Sequence, residues 1–320
     1  GSSSYFGDLT TGRNGAPQGT TNGVRGTYSG GMAPNESNVI DFIEITTNGN
    51  ATDFGDLSVA RGEASSADSK TRSVIFSGRT NTPSSGTIAD ETSSQGNATN
   101  FGDMNVPRKA MAGGLSNSIK GFSAGGSTGS NINSIEQITI ASAGNGSDFG
   151  DLTVARSACP GNTSSHGGIN IFHPRAPELY SPTGKVVDQP GDIGIFGGGD
   201  APSNSKDVEF IQITNTGNGT NWGDLIADID NANAVANGAR YLMGPGTPSG
   251  SSTTTQIQVT EISTKGNFSD FGDSTSGRGE YGTVASNTRG VFGPGYAHPA
   301  ATNVIDYITF ATIGNATDFG

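Results

Sequence analysis

The residues best suited to chemistry recur. An aspartate follows Phe-Gly or Trp-Gly at Asp8, Asp56, Asp103, Asp151, Asp224 and Asp273. A ring of carboxylates would suit calcium, which takes roughly six to eight oxygen ligands. Each aspartate, however, stands at the same place in its own copy of one phrase, so the set is expected to be spread around the molecule. A short polar side chain that satisfies turn amides is the simpler role. Arginine recurs at Arg13, Arg61, Arg108, Arg156 and Arg278, with Ile229 in the matching place of one copy. These are expected to pair with the aspartates, or with carbonyls, between units. Asn-x-Ser/Thr falls at Asn50, Asn97, Asn145, Asn218, Asn267 and Asn315. The same letters at the same turn read as hairpin chemistry rather than glycan acceptors, because Asn and Gly supply positive φ and Thr or Ser bonds the turn.

One stretch stands outside the repetition, near residues 165–190. It holds His166, His173, Arg175, Glu178, Tyr180, Lys185 and Asp188. Unique loops on rigid repetitive scaffolds are where recognition concentrates. His166, His173, Arg175, Tyr180 and Lys185 are therefore the candidate binding residues, against the plainer role of a clamp on a neighbouring subunit or domain. The two histidines lack a third ligand at the usual spacing, so zinc is not expected. The lone Cys159 excludes an internal disulfide framework and reads as a small buried apolar residue. No nucleophile-elbow, Walker or metalloprotease motif is present. With His298 the chain has three scattered histidines, and its innermost strands are nearly devoid of Asp, Glu, His and Tyr. No enzyme activity, cofactor or metal site is expected.

What positions these residues is a repeat. The aromatic of the phrase falls at Phe6, Phe54, Phe101, Phe149, Trp222, Phe271 and Phe319, spaced by 48, 47, 48, 73, 49 and 48 residues. A period near 48 suits a four-stranded propeller blade. Each period parses into four strands: a small-residue strand after the arginine, an apolar strand running into glycine, an alternating strand, and the Phe-Gly-Asp-Leu strand. In the alternating strand the same two slots hold Ile43/Ile45, Ile138/Ile140, Ile211/Ile213 and Ile308/Phe310, the period-two pattern of a half-buried strand. Asp90 and Thr92 occupy those slots in the second copy, whose third strand is expected to be weak or displaced. Thr260 and Ile262 are a partial match in the fifth.

The expected fold is all-β, a six-bladed β-propeller filling residues 1–320. Its blades fall near 11–58, 59–106, 107–154, 155–227 (with the insertion), 228–275 and 276–312 plus 5–10. The last blade is expected to close with Tyr5–Thr10 beside Val304–Thr312, since an unpaired strand edge invites aggregation. The second copy of the phrase at the C-terminal end would then be surplus.

Composition agrees. Apolar residues make up 31%, but the 51 glycines among 320 residues restore an ordinary core fraction. A formal charge of −12 without any basic cluster argues against nucleic acid. No apolar run approaches membrane-spanning length, and the opening "GSSS" has neither the charge nor the apolar run of a secretory signal.

The arginine, the apolar strand ending in Gly-Gly, the alternating strand and the aromatic-plus-leucine strand resemble the kelch repeat. "NWGDL" at Asn221–Leu225 even carries the Trp favoured there. The phenylalanine version, with "NVIDYITFATIGNATDFG", is similar to kelch-like repeats of marine bacteriophage, especially cyanophage, virion proteins. "FSGR" and "FGPG" break the double glycine. The resemblance implies a non-enzymatic virion structural or adhesion module, tail- or fibre-associated, on a virion or outside the cell. Its partners would be other virion proteins or a host-surface glycan or protein, with homo-oligomers compatible. The alternative is an extracellular bacterial carbohydrate-binding propeller.

Overall fold

Alternation of apolar and polar residues in each repeat produces short antiparallel strands, joined by turns rich in Gly, Asn and Ser. The computed structural model describes all residues except 1–7, 48, 81–83, 92–93, 111–112, 118, 164–192, 202, 250–251, 298 and 319–320. Its four-stranded antiparallel sheets are lettered here in chain order. Sheet A comprises Gln18–Thr21, Arg25–Ser29, Val39–Glu44 and Thr52–Asp56; sheet B comprises Ser65–Asp68, Arg72–Phe76, Ser84–Glu91 and Thr99–Arg108. Sheet C comprises Gly113–Ser116, Lys120–Ala124, Ser134–Thr139 and Ser147–Asp151; sheet D comprises Gly161–Thr163, Ile193–Gly197, Asp207–Gln212 and Thr220–Asp224. Sheet E comprises Ala234–Ala236, Arg240–Met243, Gln256–Glu261 and Ser269–Asp273; sheet F comprises Thr283–Ala285, Arg289–Phe292, Asp306–Thr309 and Thr317–Asp318.

The sheets are arranged as a β-propeller, and the described residues include no helix. The first strand of each sheet is innermost and lies against those of the sheets on either side, that of sheet F meeting that of sheet A. Small residues are needed there: a Cβ on Gly19 would stand 2.0 Å from the Thr283 carbonyl oxygen.

The hydrophobic core lies in the seams between sheets rather than in one central mass. Between sheets C and D, Phe122, Ile135, Phe149 and Leu152 meet Phe196, Ile211 and Ile213. Between D and E, Trp222 and Leu225 meet Ala234, Tyr241 and Phe268. These seams bury the aromatic and the leucine of the repeated phrase, and Met104 takes the leucine's place beside Phe101, at about 2–3 kcal/mol for a fully buried ring.

The third strand of sheet B forms despite Asp90: Ser84–Glu91 is paired along both edges, with register shifts between Ser84 and Gly86 and between Thr87 and Ile88. One expectation is corrected. The closing strand differs. Asp306–Thr309 takes Thr317–Asp318 as its outer neighbour, pairing Asp306 with Asp318 and Tyr307 with Thr317. A strand joined by a short turn closes at lower entropic cost than one from the far end of the chain. Of the expected Tyr5–Thr10, residues 5–7 lie outside the described residues. Asp8 accepts from Asn303 Nδ2 at 2.6 Å, and Leu9 packs with Ile305 and Val291, as Leu57 does with Ile40 and Ile75. Both ends of the chain therefore contribute to the outer edge of sheet F.

Candidate functional site

The repeated phrase turns out to be a joint between neighbouring sheets. At the rim, the backbone N–H groups of Asp8, Asp56, Asp103, Asp151, Asp224 and Asp273 donate to Oδ1 of Asn50, Asn97, Asn145, Asn218, Asn267 and Asn315 in the next sheet, at 3.0–3.2 Å. The carbonyl of each aspartate accepts from that sheet in turn, as in Ala98 N to Asp56 O at 2.8 Å and Gly146 N to Asp103 O at 2.8 Å. The asparagines are thus hydrogen-bond acceptors in a turn, as their position suggested. It is the main chain of each aspartate that makes the joint. Gly102 shows why the phrase contains glycine: its φ is +151°, and a Cβ there would stand 2.3 Å from the Gly144 carbonyl oxygen.

The arginines are buried, and their ionic partners are not the aspartates of the phrase. Arg13, Arg156 and Arg278 lie on connections entering a sheet and Arg108 at the end of the strand before one, and each of these four reaches an acid on the third strand of the sheet that follows. Arg13 pairs with Asp41 at 2.9 Å, Arg108 with Glu136 at 2.5 Å, Arg156 with Glu209 at 2.6 Å and Arg278 with Asp306 at 2.8 Å, all these side chains being at most 2% exposed. Carbonyl contacts are present too, but within one unit rather than between units, for example Arg156 Nη1 to Gly198 O and Asp207 O at 3.1 Å. The same acids cap the turn after the phrase: Glu209 Oε2 accepts from Thr153 N at 2.7 Å, and Glu136 Oε2 from Asn105 N at 2.7 Å. Sheet E replaces the pair with Ile229 and Gln258 and keeps the cap, Gln258 Oε1 accepting from Ile226 N at 2.7 Å. Sheet B keeps Arg61 but has Ile88 at the bulge. Arg61 donates to the carbonyls of Ser77 and Gly86, both at 2.6 Å, and burial pushes its guanidinium down to about 10. Sequence held a signal for this slot: Asp41, Glu136, Glu209 and Asp306 each stand two residues before the isoleucine position, whereas sheet B reads Ile88 then Asp90.

Along the axis, the innermost strands surround a cavity of about 80 Å³ whose lining includes Gln18, Thr21, Ser66, Asn162 and Asn233. Asp68 also lines it, a single acid in innermost strands that are otherwise free of Asp and Glu. Its Oδ2 accepts from Thr21 N of sheet A at 2.6 Å, and its Oδ1 accepts from Ser116 Oγ of sheet C at 3.1 Å. Burial raises its carboxyl to about 6, opposed by those two hydrogen bonds. Cys159 is buried in the same wall, and burial raises its thiol, in keeping with an apolar structural role. At the opposite end of the innermost strands, Ala16, Glu63, Ala110, Ala158, Asn231 and Glu280 all adopt φ between 50° and 63°. Positive φ is strained for residues other than glycine. Backbone bonds between neighbouring connections hold it, as in Ala16 N to Glu280 O at 3.1 Å and Ala158 N to Ala110 O at 2.8 Å.

Neither a family model nor a curated protein matches this sequence. The insertion residues His166, His173, Arg175, Tyr180 and Lys185, with Glu178 and Asp188, lie outside the described residues. Topology fixes where that segment joins the fold: it runs between Thr163 and Ile193, leaving from the end of the innermost strands at which Asp68 and Ser116 stand. Among the described residues, no group of three His, Cys, Asp or Glu is placed to hold a metal ion.

Proposed function

We propose that the chain is a six-bladed, non-enzymatic propeller that serves as a virion structural or adhesion module, joining neighbouring virion proteins or contacting a host surface through the loops of its faces. The six-blade count is supported by the succession of innermost strands from Gln18–Thr21 to Thr283–Ala285, the last meeting the first. The observation that carries the functional reading is the use of the recurrent polar groups. Asparagine side chains and aspartate main chains join neighbouring sheets, and four buried arginine–carboxylate pairs pin the chain entering a sheet to that sheet's third strand. What varies from one repeat to the next lies in the connections, where a rigid scaffold places recognition. The resemblance of the repeat to phage virion kelch-like repeats gives the class of particle. Proteomics of purified virions from a phage encoding this chain tests the assignment: peptides of the chain at structural stoichiometry support it, and their absence from intact particles rejects it. Glycan-array binding by the isolated ring, with no peptides in virions, would favour the carbohydrate-binding alternative.

A further inference from the structure

Five acidic side chains are buried among the described residues: Asp41, Asp68, Glu136, Glu209 and Asp306. Four of them have an arginine at 2.5–2.9 Å. Asp68 has none. The only partners of its side chain among the described residues are neutral, the Thr21 N–H and the Ser116 hydroxyl, although it is 9% exposed. Among the described residues that line the axial cavity it is also the one that carries a charge. A buried charge is ordinarily paired or coordinated, and the four paired acids show that this fold follows that rule elsewhere.

The cavity supplies what a counter-charge requires. Its volume of about 80 Å³ is several times what one water molecule needs. Its walls carry hydroxyl and amide oxygens, from Thr21, Ser66, Ser116, Asn162 and Asn233. A carboxylate oxygen can accept more than one hydrogen bond or ligand contact, and each oxygen of Asp68 has one partner among the described residues. Divalent ions favour sites with several carboxylates or dedicated octahedral geometry; one carboxylate among neutral oxygens matches a single positive charge.

We propose that the axial cavity binds a small monovalent cation, an alkali-metal or ammonium ion, with Asp68 as its anionic ligand and neighbouring hydroxyl and amide oxygens completing the site. The ion supplies the counter-charge that arginine supplies in four of the sheets. It thereby ties sheets A, B and C, whose Thr21, Asp68 and Ser116 already touch across two seams. This inference goes beyond the proposed function and is independent of it.

Thermal unfolding of the full chain at pH 8 and constant ionic strength tests it, comparing sodium, potassium and ammonium chloride with tetramethylammonium chloride, whose methyl groups keep oxygen ligands away from its charge. The expected result is a saturable rise of a few degrees in Tm with at least one small cation, absent in Asp68→Asn. Equal midpoints in all four salts, or a cation effect that persists in Asp68→Asn, would overturn the proposal. Should Asp68→Asn fail to fold, crystals of the unaltered chain soaked in thallium(I) decide the matter. An anomalous peak in the cavity beside Asp68 sustains the site, and a cavity without one refutes it.

Discussion

Replacing Glu209 by glutamine removes one charge from a buried pair while keeping the shape and the turn cap. Arg156 would then stand where Arg61 stands in sheet B, bonded to carbonyls but facing no acid. Burial lowers Arg61 from 12.5 to about 10, which corresponds to roughly 3 kcal/mol between its charged and neutral forms. That value agrees with the ~3–5 kcal/mol cost of breaking a buried pair from one side. At ~2.1 cal/mol/K per residue over 320 residues, Glu209→Gln should lower Tm by about 4–5 °C. Arg156→Ile should cost a similar amount by stranding Glu209. The double variant reproduces the Ile229 and Gln258 of sheet E and should return to within about 1 kcal/mol of the original, so the two changes are strongly coupled. The single tryptophan, Trp222, gives the signal: it lies in the same sheet, in edge contact with Phe210 at 5.6 Å. Unfolding followed by its fluorescence would refute the reasoning if Glu209→Gln melted within a degree of the parent, or if the double variant were no more stable than either single one.

Three further outcomes are expected. Gly102→Ala should destabilise by several kcal/mol, because its Cβ meets a backbone oxygen at a positive φ, whereas Gly144→Ala, with nothing within 4 Å, should stay within about 1 kcal/mol; denaturant midpoints of the two compare them directly. Asn145→Ala removes the acceptor for Asp103 N–H and should cost about 0.5–1.5 kcal/mol, read from the same curves. For Asp68, the folded state holds the proton more tightly than the unfolded one. Its contribution is therefore fully present below about pH 4 and is lost as pH rises to about 6, a fall of roughly 3 kcal/mol. Unfolding free energies in tetramethylammonium buffers across pH 4–8 should show that decline, and Asp68→Asn should not.

The seam-forming residues were the most legible from sequence, because Phe149, Ile138 and Ile211 recur at fixed positions and each is buried against an adjacent repeat in the chain. The acid slot was harder to see. A bulge between Ile135 and Glu136, or between Val208 and Glu209, places two consecutive buried residues in the strand, and a lone acid on the face of the isoleucines reads as a break in the apolar pattern rather than as half of a buried pair. Asp68 was hidden for another reason: within "SSAD" it reads as one more small polar residue, and only its neighbours from sheets A and C make it a buried charge. The outer edge of sheet F was ambiguous because two copies of the same phrase, one at each end of the chain, could both fill it.

The joint at the rim is the same wherever it occurs. Asp8 meets Asn50 and Ala51 through the two bonds that Asp56 makes with Asn97 and Ala98, so the seam between sheets F and A is fastened like the others. A circularly permuted chain opened at another rim joint would retain the remaining couplings of the circle. It should therefore fold to the same ring from a different starting point.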